Sequence, residues 1–302
     1  MLEVIAPGPL ATVQDLGRFG YAQLGVSRSG ALDPAALRLA NRLVGNPETD
    51  AALELTYGGT VLRAHAPLWC ALTGAPAPLT VDGHPAPYGA PFALPTGALL
   101  TIGTPTHGIR SYLALAGGLP IPPVLGSRST DTLSTLGPPP LSPGTTLPTA
   151  TPPAPILREL WGRHAPTGQN GNTSRKIGAV DFVPWSAPGA EIRVRVRFGP
   201  REGWFAEPGE LLRRVYTVGQ GDRIGVRLDG PPLARAIAGE LPSEGLVAGA
   251  VQVPGDGRPL VFLADHPTTG GYPVIAVVHP ADLGLLAQAR PGTRVVFHGS
   301  QR

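Results

Sequence analysis

The residues best suited to chemistry form a polar, glycine-containing segment that follows an apolar run in the last third of the chain. Residues 264–273 have the sequence ADHPTTGGYP. Two adjacent glycines allow the backbone to approach a ligand closely. The Asp265 carboxylate, two threonine hydroxyls and the Tyr272 phenol can reach the same space. Together with Gln252 on a predicted neighbouring strand, this segment predicts a binding site for a polar ligand.

A second polar cluster lies near the start of the chain, in residues 12–18 (TVQDLGR) and 25–33 (GVSRSGALD). It places an amide, carboxylates, hydroxyls and guanidiniums beside a predicted helix N-terminus, which favours anions. We interpret Asp33 as the cap of that helix. Ligand binding and ordinary turn chemistry explain Gln14, Asp15 and Arg18 about equally well, so all three are candidate substrate contacts.

A third cluster, residues 221–228, has the sequence GDRIGVRL. The planar guanidinium of Arg223 beside Asp222 could clamp a substrate carboxylate with two hydrogen bonds. The alternative is a surface ion pair on a hairpin.

Several common active-site types have no support in the sequence. The seven histidines form neither an HxH nor an HExxH spacing, so no metal site is predicted. The chain contains no P-loop, and its only lysine, Lys176, lies outside any glycine-rich loop of that type. There is no GxSxG nucleophile motif. The single cysteine, Cys70, lies in an apolar run and is predicted to be a core residue.

The composition favours a cytoplasmic protein with many short strands. The 302 residues include 41 Gly and 37 Pro, a combination typical of strands joined by tight turns. No apolar run approaches the ~20 residues of a membrane span, and no signal peptide is visible at the N-terminus. The net charge of +3 comes from scattered arginines, so we predict neither nucleic-acid binding nor membrane association. Arg193, Arg195 and Arg197 alternate, which predicts one solvated face of a strand.

The predicted elements that position these clusters are mainly strands. Alternating apolar patterns predict short strands that suit a β-barrel or sandwich, at residues 2–5, 60–63, 68–73, 99–103, 111–116, 192–198, 215–218, 246–253, 260–264, 274–278 and 294–298. Helices are predicted at residues 35–44, after an Asp-Pro start, and at residues 281–289.

Eight prolines in residues 138–156 argue against both helix and strand pairing there. We therefore predict an N-terminal domain at residues 1–137, a proline-rich linker or loop at residues 138–156, and a C-terminal domain at residues 157–302.

Six segments occur in the order seen in one family, and they carry a resemblance over nearly the whole chain. These segments are residues 12–18, 25–33, 40–46, 126–131, 249–255 and 265–273. The sequence resembles the family of the C subunit of bacterial 5-oxoprolinase, and it is similar to allophanate hydrolase subunit 2, or biotin-dependent carboxyltransferase subdomain C/D, proteins.

The resemblance implies a mainly β chain with few helices, arranged as two cyclophilin-like β-barrel domains. It implies a hetero-oligomer in which the partners are the A and B subunits of 5-oxoprolinase. The implied reaction is ATP-dependent hydrolysis of 5-oxo-L-proline to L-glutamate, with ATP bound by this chain or by a partner.

Within that reaction, Arg223 is predicted to bind the substrate carboxylate. Gln252, Thr269 and Tyr272 are predicted to orient the amide, and Asp265 is predicted to act as a base or to position a water. The predicted catalytic residues are therefore Asp265, Thr269 and Tyr272, and the predicted substrate contacts are Arg223, Gln252, Thr268, Gly270, Gly271, Gln14, Asp15 and Arg18.

Three departures from the family pattern concern the substrate. Val274 stands where the family usually has Arg or Lys, Pro267 stands where it has Gln, and residues 136–141 replace a glycine-rich segment. One alternative is a carboxyltransferase that acts on urea or another small amide with a biotin carrier. Another is a non-catalytic regulatory partner of the B subunit.

Overall fold

The computed structural model describes residues 1–152, 156, 189–239 and 241–299. Strands dominate these residues, while the helices are few and short. The prediction of a mainly β chain with few helices is confirmed.

Two sheets form the first half of the chain. Its strands are β1 (Leu2–Ala6), β2 (Leu10–Gln14), β3 (Ala52–Thr56), β4 (Thr60–Ala64), β5 (Leu68–Gly74), β6 (Leu79–Val81), β7 (His84–Pro85), β8 (Phe92–Leu94), β9 (Leu99–Ile102), β10 (Arg110–Leu115) and β11 (Thr146–Leu147). One sheet has the order β11-β1-β4-β9-β6-β7, and the other has the order β2-β3-β10-β5-β8. The five strands predicted in this half are confirmed within one residue at each end.

The main core of this half lies between the two sheets. Leu62 and Leu100 of the six-stranded sheet pack with Leu53 and Leu72 of the five-stranded sheet, and all four are fully buried. Cys70 belongs to the same core, as predicted, and burial raises the pKa of its thiol to about 12. A neutral, enclosed thiol is a packing group rather than a nucleophile.

Helix α1 (Pro34–Leu43) covers the other face of the five-stranded sheet. The Ala36 N–H donates to the Asp33 side chain at 3.1 Å, so Asp33 is the predicted N-cap, and Pro34 begins the helix. With both faces of the sheet covered, β5 and β10 are buried at every position. This explains the apolar runs at residues 68–72 of β5 and 112–115 of β10.

The second half contains a closed barrel. Its strands are β12 (Glu191–Phe198), β13 (Val215–Gly221), β14 (Gly225–Asp229), β15 (Glu244–Gly245), β16 (Ala250–Gln252), β17 (Leu260–Phe262), β18 (Thr269–Gly270), β19 (Val274–Val278) and β20 (Arg294–Gly299). The barrel order is β12-β19-β16-β17-β14-β13-β20, and β15 and β18 pair separately. In β12 the valines point into the barrel, while Arg193 and Arg197 are exposed on the outer face, as predicted.

The remaining helical elements are short: α2 (Glu210–Arg213), α3 (Leu283–Gln288) and the 3₁₀ turns Ala22–Leu24, Glu202–Trp204 and Pro280–Asp282. The predicted helix at residues 281–289 is therefore divided between a 3₁₀ turn and α3. The predicted strand at residues 246–253 is only partly correct. The Ala250 N–H donates to the Val247 carbonyl in a turn, which delays the strand start to Ala250.

The proline-rich segment does form a strand, contrary to prediction. Thr146–Leu147 pairs with β1 at the edge of the six-stranded sheet, and the Leu141 N–H donates to the Ala11 carbonyl at 2.8 Å. Prolines are tolerated beside an edge strand because one side of that strand needs no partner. The boundaries of the predicted domains remain predictions, and residues 157–188 at the start of the second domain lie outside the described residues.

Candidate functional site

Arg223 is buried between the two halves and is paired on all sides. It is 1% exposed. Its Nε and Nη2 donate to the two oxygens of Asp265 at 2.9 and 3.0 Å, its Nη1 donates to Glu54, and its Nη2 also reaches the Gly30 carbonyl at 2.7 Å. A bidentate pair with further hydrogen bonds is the arrangement that makes a buried ion pair tolerable.

Asp265 is likewise fully paired. Besides Arg223, it accepts hydrogen bonds from the Ser29 hydroxyl at 2.6 Å and from the Thr132 N–H and hydroxyl at 2.9 and 2.8 Å. It is fully buried. The partners come from both halves of the chain, so this carboxylate joins the barrel to the first half.

Glu54 completes the buried network from β3 of the first half. It accepts hydrogen bonds from the Leu32 N–H at 3.0 Å and from the Tyr112 hydroxyl at 2.8 Å. Burial by itself would raise the pKa of Glu54, but the guanidiniums of Arg223 and Arg110 hold it below its ordinary value. Glu54 is therefore charged in the folded chain at neutral pH.

Gln288 of α3 makes a second bridge between the halves. Its amide nitrogen donates to Asp33 at 3.0 Å and to the Arg110 carbonyl, while its oxygen accepts from the Ile109 and Arg110 N–H groups at 2.9 Å. Burial raises the pKa of Asp33, and the hydrogen bond from Gln288 opposes that rise. The cap of α1 is thus also part of the contact with the barrel half.

Asp15 organises the second predicted cluster. Its carboxylate accepts from the Ser127 and Ser129 hydroxyls at 2.6 Å, from the Arg128 N–H at 2.6 Å and from the Gly17 N–H at 2.8 Å. It is 7% exposed and fixes the loop at residues 127–129 against the end of β2. Groups of the protein itself therefore donate four hydrogen bonds to the Asp15 carboxylate, which uses its capacity as an acceptor.

Gln14 and Arg18 lie against successive residues of that same loop. The Gln14 amide nitrogen donates to the Thr130 carbonyl at 2.9 Å and to the Thr12 hydroxyl at 3.1 Å. The Arg18 Nη2 donates to the Ser129 carbonyl at 2.5 Å. Both side chains are buried, so the structure brings together the three residues predicted here from sequence.

Ser29 connects the two buried clusters. Its hydroxyl lies 2.6 Å from Asp265 and 3.0 Å from the Thr130 carbonyl, and its backbone has a φ of +53°. Non-glycine residues with positive φ are uncommon and cost free energy. Because the Ser29 hydroxyl contacts both Thr130 and Asp265, the polar residues of the first half form one continuous network with Arg223 and Asp265 of the barrel.

Gln252 and Tyr272 form a separate part of the predicted site, on the barrel. The Gln252 amide nitrogen donates to the Tyr272 carbonyl at 2.9 Å, so the side chain fixes the loop backbone. The Tyr272 ring is exposed, and the Arg235 guanidinium lies 5.9 Å from its centroid. Its phenol is accessible to a small molecule or to a partner.

The loop that contains the two threonines and two glycines is held by a short two-stranded pairing and by backbone hydrogen bonds. Thr269–Gly270 pairs with Glu244–Gly245, Thr269 is exposed, and the Gly271 carbonyl accepts a hydrogen bond from Leu241. A Cβ on Gly270 would lie 2.8 Å from the Gln252 amide nitrogen and 2.8 Å from a methyl carbon of Leu246, so a larger residue would displace these side chains. The half-buried Thr268 accepts a backbone bond from Leu246.

The predicted residues thus fall into two groups. Gln14, Asp15 and Arg18 join the buried network that contains Arg223 and Asp265. Gln252 and residues 268–272 form the barrel loop, and no hydrogen bond between described residues connects those side chains to Arg18. Arg223 does not pair with Asp222, which instead accepts from the Ile224 N–H of its own turn. The catalytic and binding roles remain predictions. Full pairing favours a structural role for Arg223 and Asp265.

Sequence reasoning missed Glu54, Tyr112, Thr132 and Gln288. Glu54 has one detectable feature, because it is a lone carboxylate within the apolar strand Ala52–Thr56. Such a residue is rarely buried unless it is paired. Its partner Arg223, in the turn between β13 and β14 of the other half, could not be identified from sequence.

Two further searches cover only the described part of the chain. No group of three or more His, Cys, Asp or Glu side chains there could hold a metal ion. No helix there has the length and apolar character needed to cross a membrane.

Comparison with known proteins identifies the family. Residues 24–299 match the model of the carboxyltransferase domain, subdomain A and B. The chain belongs to this family. The resemblance to the carboxyltransferase and 5-oxoprolinase C-subunit family is confirmed, with subdomains A and B in place of the predicted label C/D.

Relatives of this carboxyltransferase-domain chain include proteins with two different names. It is 38% identical over 300 residues to the 5-oxoprolinase C subunit of Escherichia coli, covering 98% of this chain and 90% of that protein. It is 32% identical to urea amidolyase of Saccharomyces cerevisiae, covering 98% of this chain but 16% of that protein. The crystal structure of the K. lactis urea amidolyase matches with a TM-score of 0.84 and 29% identity, covering 99% of this chain and 19% of that one.

Proposed function

We propose that this chain is the C subunit of an ATP-dependent 5-oxoprolinase, which hydrolyses 5-oxo-L-proline to L-glutamate together with its A and B subunits. The observation that carries the proposal is the 38% identity to the E. coli protein over nearly the full length of both chains. Relatives are named as enzyme subunits, which supports an enzymatic assembly. A cytoplasmic location is part of the same proposal.

The chemistry of the reaction sets what the assembly must provide. A five-membered lactam is resonance-stabilised, and phosphorylation of its oxygen by ATP would make the carbonyl carbon electrophilic. A site for this substrate must bind a carboxylate, hold an amide and stabilise developing negative charge. This chain offers buried guanidiniums and a buried amide in the network around Ser29, and exposed hydroxyls at Thr269 and Tyr272.

Neither the sequence nor the described residues show a recognisable ATP site. The sequence lacks a P-loop, and the buried guanidiniums of Arg223 and Arg110 are paired with Glu54 within the protein. The proposal therefore derives no phosphoryl-transfer step from these residues. ATP is bound either elsewhere on this chain or by one of the two partner subunits.

Omission of single components tests the proposal. Glutamate release from 5-oxo-L-proline is measured with this chain, the two partner subunits and ATP, and then with each component left out. We expect release only from the complete mixture. No release from a mixture of folded proteins would refute the reaction.

A second candidate is a carboxyltransferase that acts on urea or another small amide. The observation that favours it is the match to fungal urea amidolyase in both sequence and structure. This reaction would require a biotinylated carrier. The carboxyltransferase function would be supported if this chain and such a carrier carboxylate urea in the absence of the two partner subunits. If the chain only alters the activity of the B subunit, the regulatory alternative applies.

A further inference from the structure

Arg18 is a buried cation without a counter-charge among the described residues. It is 2% exposed, and its one side-chain hydrogen bond goes to the Ser129 carbonyl. Among the described residues, its Nε and Nη1 have no hydrogen-bond partner and no carboxylate forms an ion pair with it. Buried charges in proteins are nearly always paired, because removing an ion from water is costly.

The other two buried arginines show what is missing. Arg223 contacts two carboxylates, and the Arg110 Nε lies 3.8 Å from Glu54. Each of these guanidiniums has its charge balanced within the protein. The Arg110 Nε also lacks a hydrogen-bond partner among the described residues, but Glu54 balances its charge. Arg18 alone among the three therefore combines unpaired donors with a charge that an external anion could satisfy.

An unpaired acceptor on β2 contacts the same loop. Gln14 is fully buried, and its oxygen Oε1 has no hydrogen-bond partner among the described residues. The amide orientation is set by its nitrogen, which donates to the Thr130 carbonyl. Arg18 contacts the carbonyl of Ser129, the residue before Thr130. The unpaired nitrogens of Arg18 and the unpaired oxygen of Gln14 therefore belong to side chains that contact neighbouring residues of one loop. The Thr130 hydroxyl also has no hydrogen-bond partner within the described ranges.

We propose that Arg18, Gln14 and Thr130 form a buried subsite for a small carboxylate that carries a neighbouring N–H group. Arg18 donates to the carboxylate, and the Gln14 oxygen accepts from the N–H. The inference rests on the proposed function, because 5-oxo-L-proline carries its carboxylate on the carbon next to the ring N–H. It moves the substrate carboxylate from Arg223, where the sequence placed it, to Arg18.

The subsite is closed, so a ligand enters only when the covering segment moves. That segment is residues 125–137, which contains Ser129 and ends where the Gly137 Cβ position lies 3.1 Å from the Arg18 Nη2. Leu125 and Thr135 near its ends have φ of +50° and +60°. Such backbone strain is typical of segments held in place by their surroundings and released in function.

Direct binding to the full chain tests the subsite. Three probes are titrated by calorimetry: 5-oxo-L-proline, 3-oxocyclopentanecarboxylate, in which a CH2 group replaces the N–H, and 2-pyrrolidone, which lacks the carboxylate. We expect 5-oxo-L-proline to bind most tightly. Arg18→Met should weaken its binding by roughly 10- to 100-fold, the range for a charge-assisted hydrogen bond. Arg63→Met changes a half-exposed arginine of the same half and should leave binding unchanged.

A second variant keeps the test valid if Arg18→Met does not fold. In Gln14→Met the acceptor is lost, so 5-oxo-L-proline and 3-oxocyclopentanecarboxylate should bind with equal affinity. Persistence of the wild-type preference in that variant would overturn the role of Gln14 and with it the subsite.

Other outcomes separate this inference from the proposed function. If Arg18→Met binds 5-oxo-L-proline as tightly as the wild type, the inference is overturned. It is also overturned if the wild-type chain binds none of the probes, alone or with the two partner subunits, because water then satisfies Arg18. If Arg18-dependent binding is found but the complete mixture releases no glutamate, the subsite stands and the proposed reaction fails.

Discussion

Arg223 and Arg18 are both buried arginines of one polar network, but they differ in what surrounds them. Arg223 has carboxylates from both halves of the chain around it. Arg18 has one carbonyl and no counter-charge among the described residues. The difference teaches that burial of a charged residue near a predicted site does not by itself indicate ligand binding. A fully paired group stabilises the fold, whereas an unpaired one has donors to offer.

The largest effect expected from this comparison is on stability at Arg223. Arg223→Met leaves Asp265 buried without its cation and leaves Glu54 with only Arg110, 3.8 Å away, which should lower the free energy of unfolding by about 3–5 kcal/mol. Chemical denaturation of the full chain measures it. If Arg223→Met lowers the free energy of unfolding only as much as the loss of an exposed ion pair does, the Arg223 network does not hold the two halves together.

The second prediction concerns the pH dependence of the same network. The pKa of Glu54 lies below its ordinary value of 4.5 in the folded chain. The stability that Glu54 contributes is therefore fully present above about pH 4.5 and is lost as the pH falls through the folded pKa.

This pH dependence is checked by measuring the free energy of unfolding of the wild type and of Glu54→Gln from neutral to acidic pH. The difference between the two should shrink as the pH falls below about 4.5. A difference that stays constant over that range would mean that Glu54 does not carry the charge that pairs with Arg223.

The third prediction is that Arg18→Met has little effect on the stability of the ligand-free chain. The substitution removes an unpaired buried charge and one hydrogen bond, two effects that oppose each other. We expect the free energy of unfolding to change by less than about 1 kcal/mol. If Arg18→Met lowers the free energy of unfolding as much as Arg223→Met does, Arg18 has a structural partner and the contrast between the two arginines is lost.

The smallest effect is expected at an exposed ion pair of the barrel. Arg258 and Asp229 lie 3.2 Å apart, with side chains 55% and 59% exposed. Arg258→Met should cost about 0–1 kcal/mol, because solvent screens such pairs. Measured by the same denaturation, it is the matched control for Arg223→Met and isolates the contribution of burial.

The sequence predicted the strands and the helix cap better than it predicted partners. Asp33 and Pro34 mark the start of α1 by local chemistry, which a sequence shows directly. The pairing of Arg223 with Glu54 depends on how the barrel packs against β3, across 169 positions of sequence. No local pattern contains that information.

The candidate site shows the same limit. Gln14, Asp15 and Arg18 were found as a polar cluster, but only the structure shows that Asp15 is saturated while Arg18 is not. The strand Thr146–Leu147 was missed because eight nearby prolines argue against pairing, and its edge position was not visible.

Steady-state kinetics of the reconstituted enzyme tests the central claim most directly. Glutamate formation is measured against 5-oxo-L-proline concentration with the two partner subunits and either wild-type, Arg18→Met or Arg63→Met chain. The account predicts that Arg18→Met raises KM by roughly 10- to 100-fold, while Arg63→Met leaves KM unchanged. An unchanged KM for a folded Arg18→Met chain would contradict it.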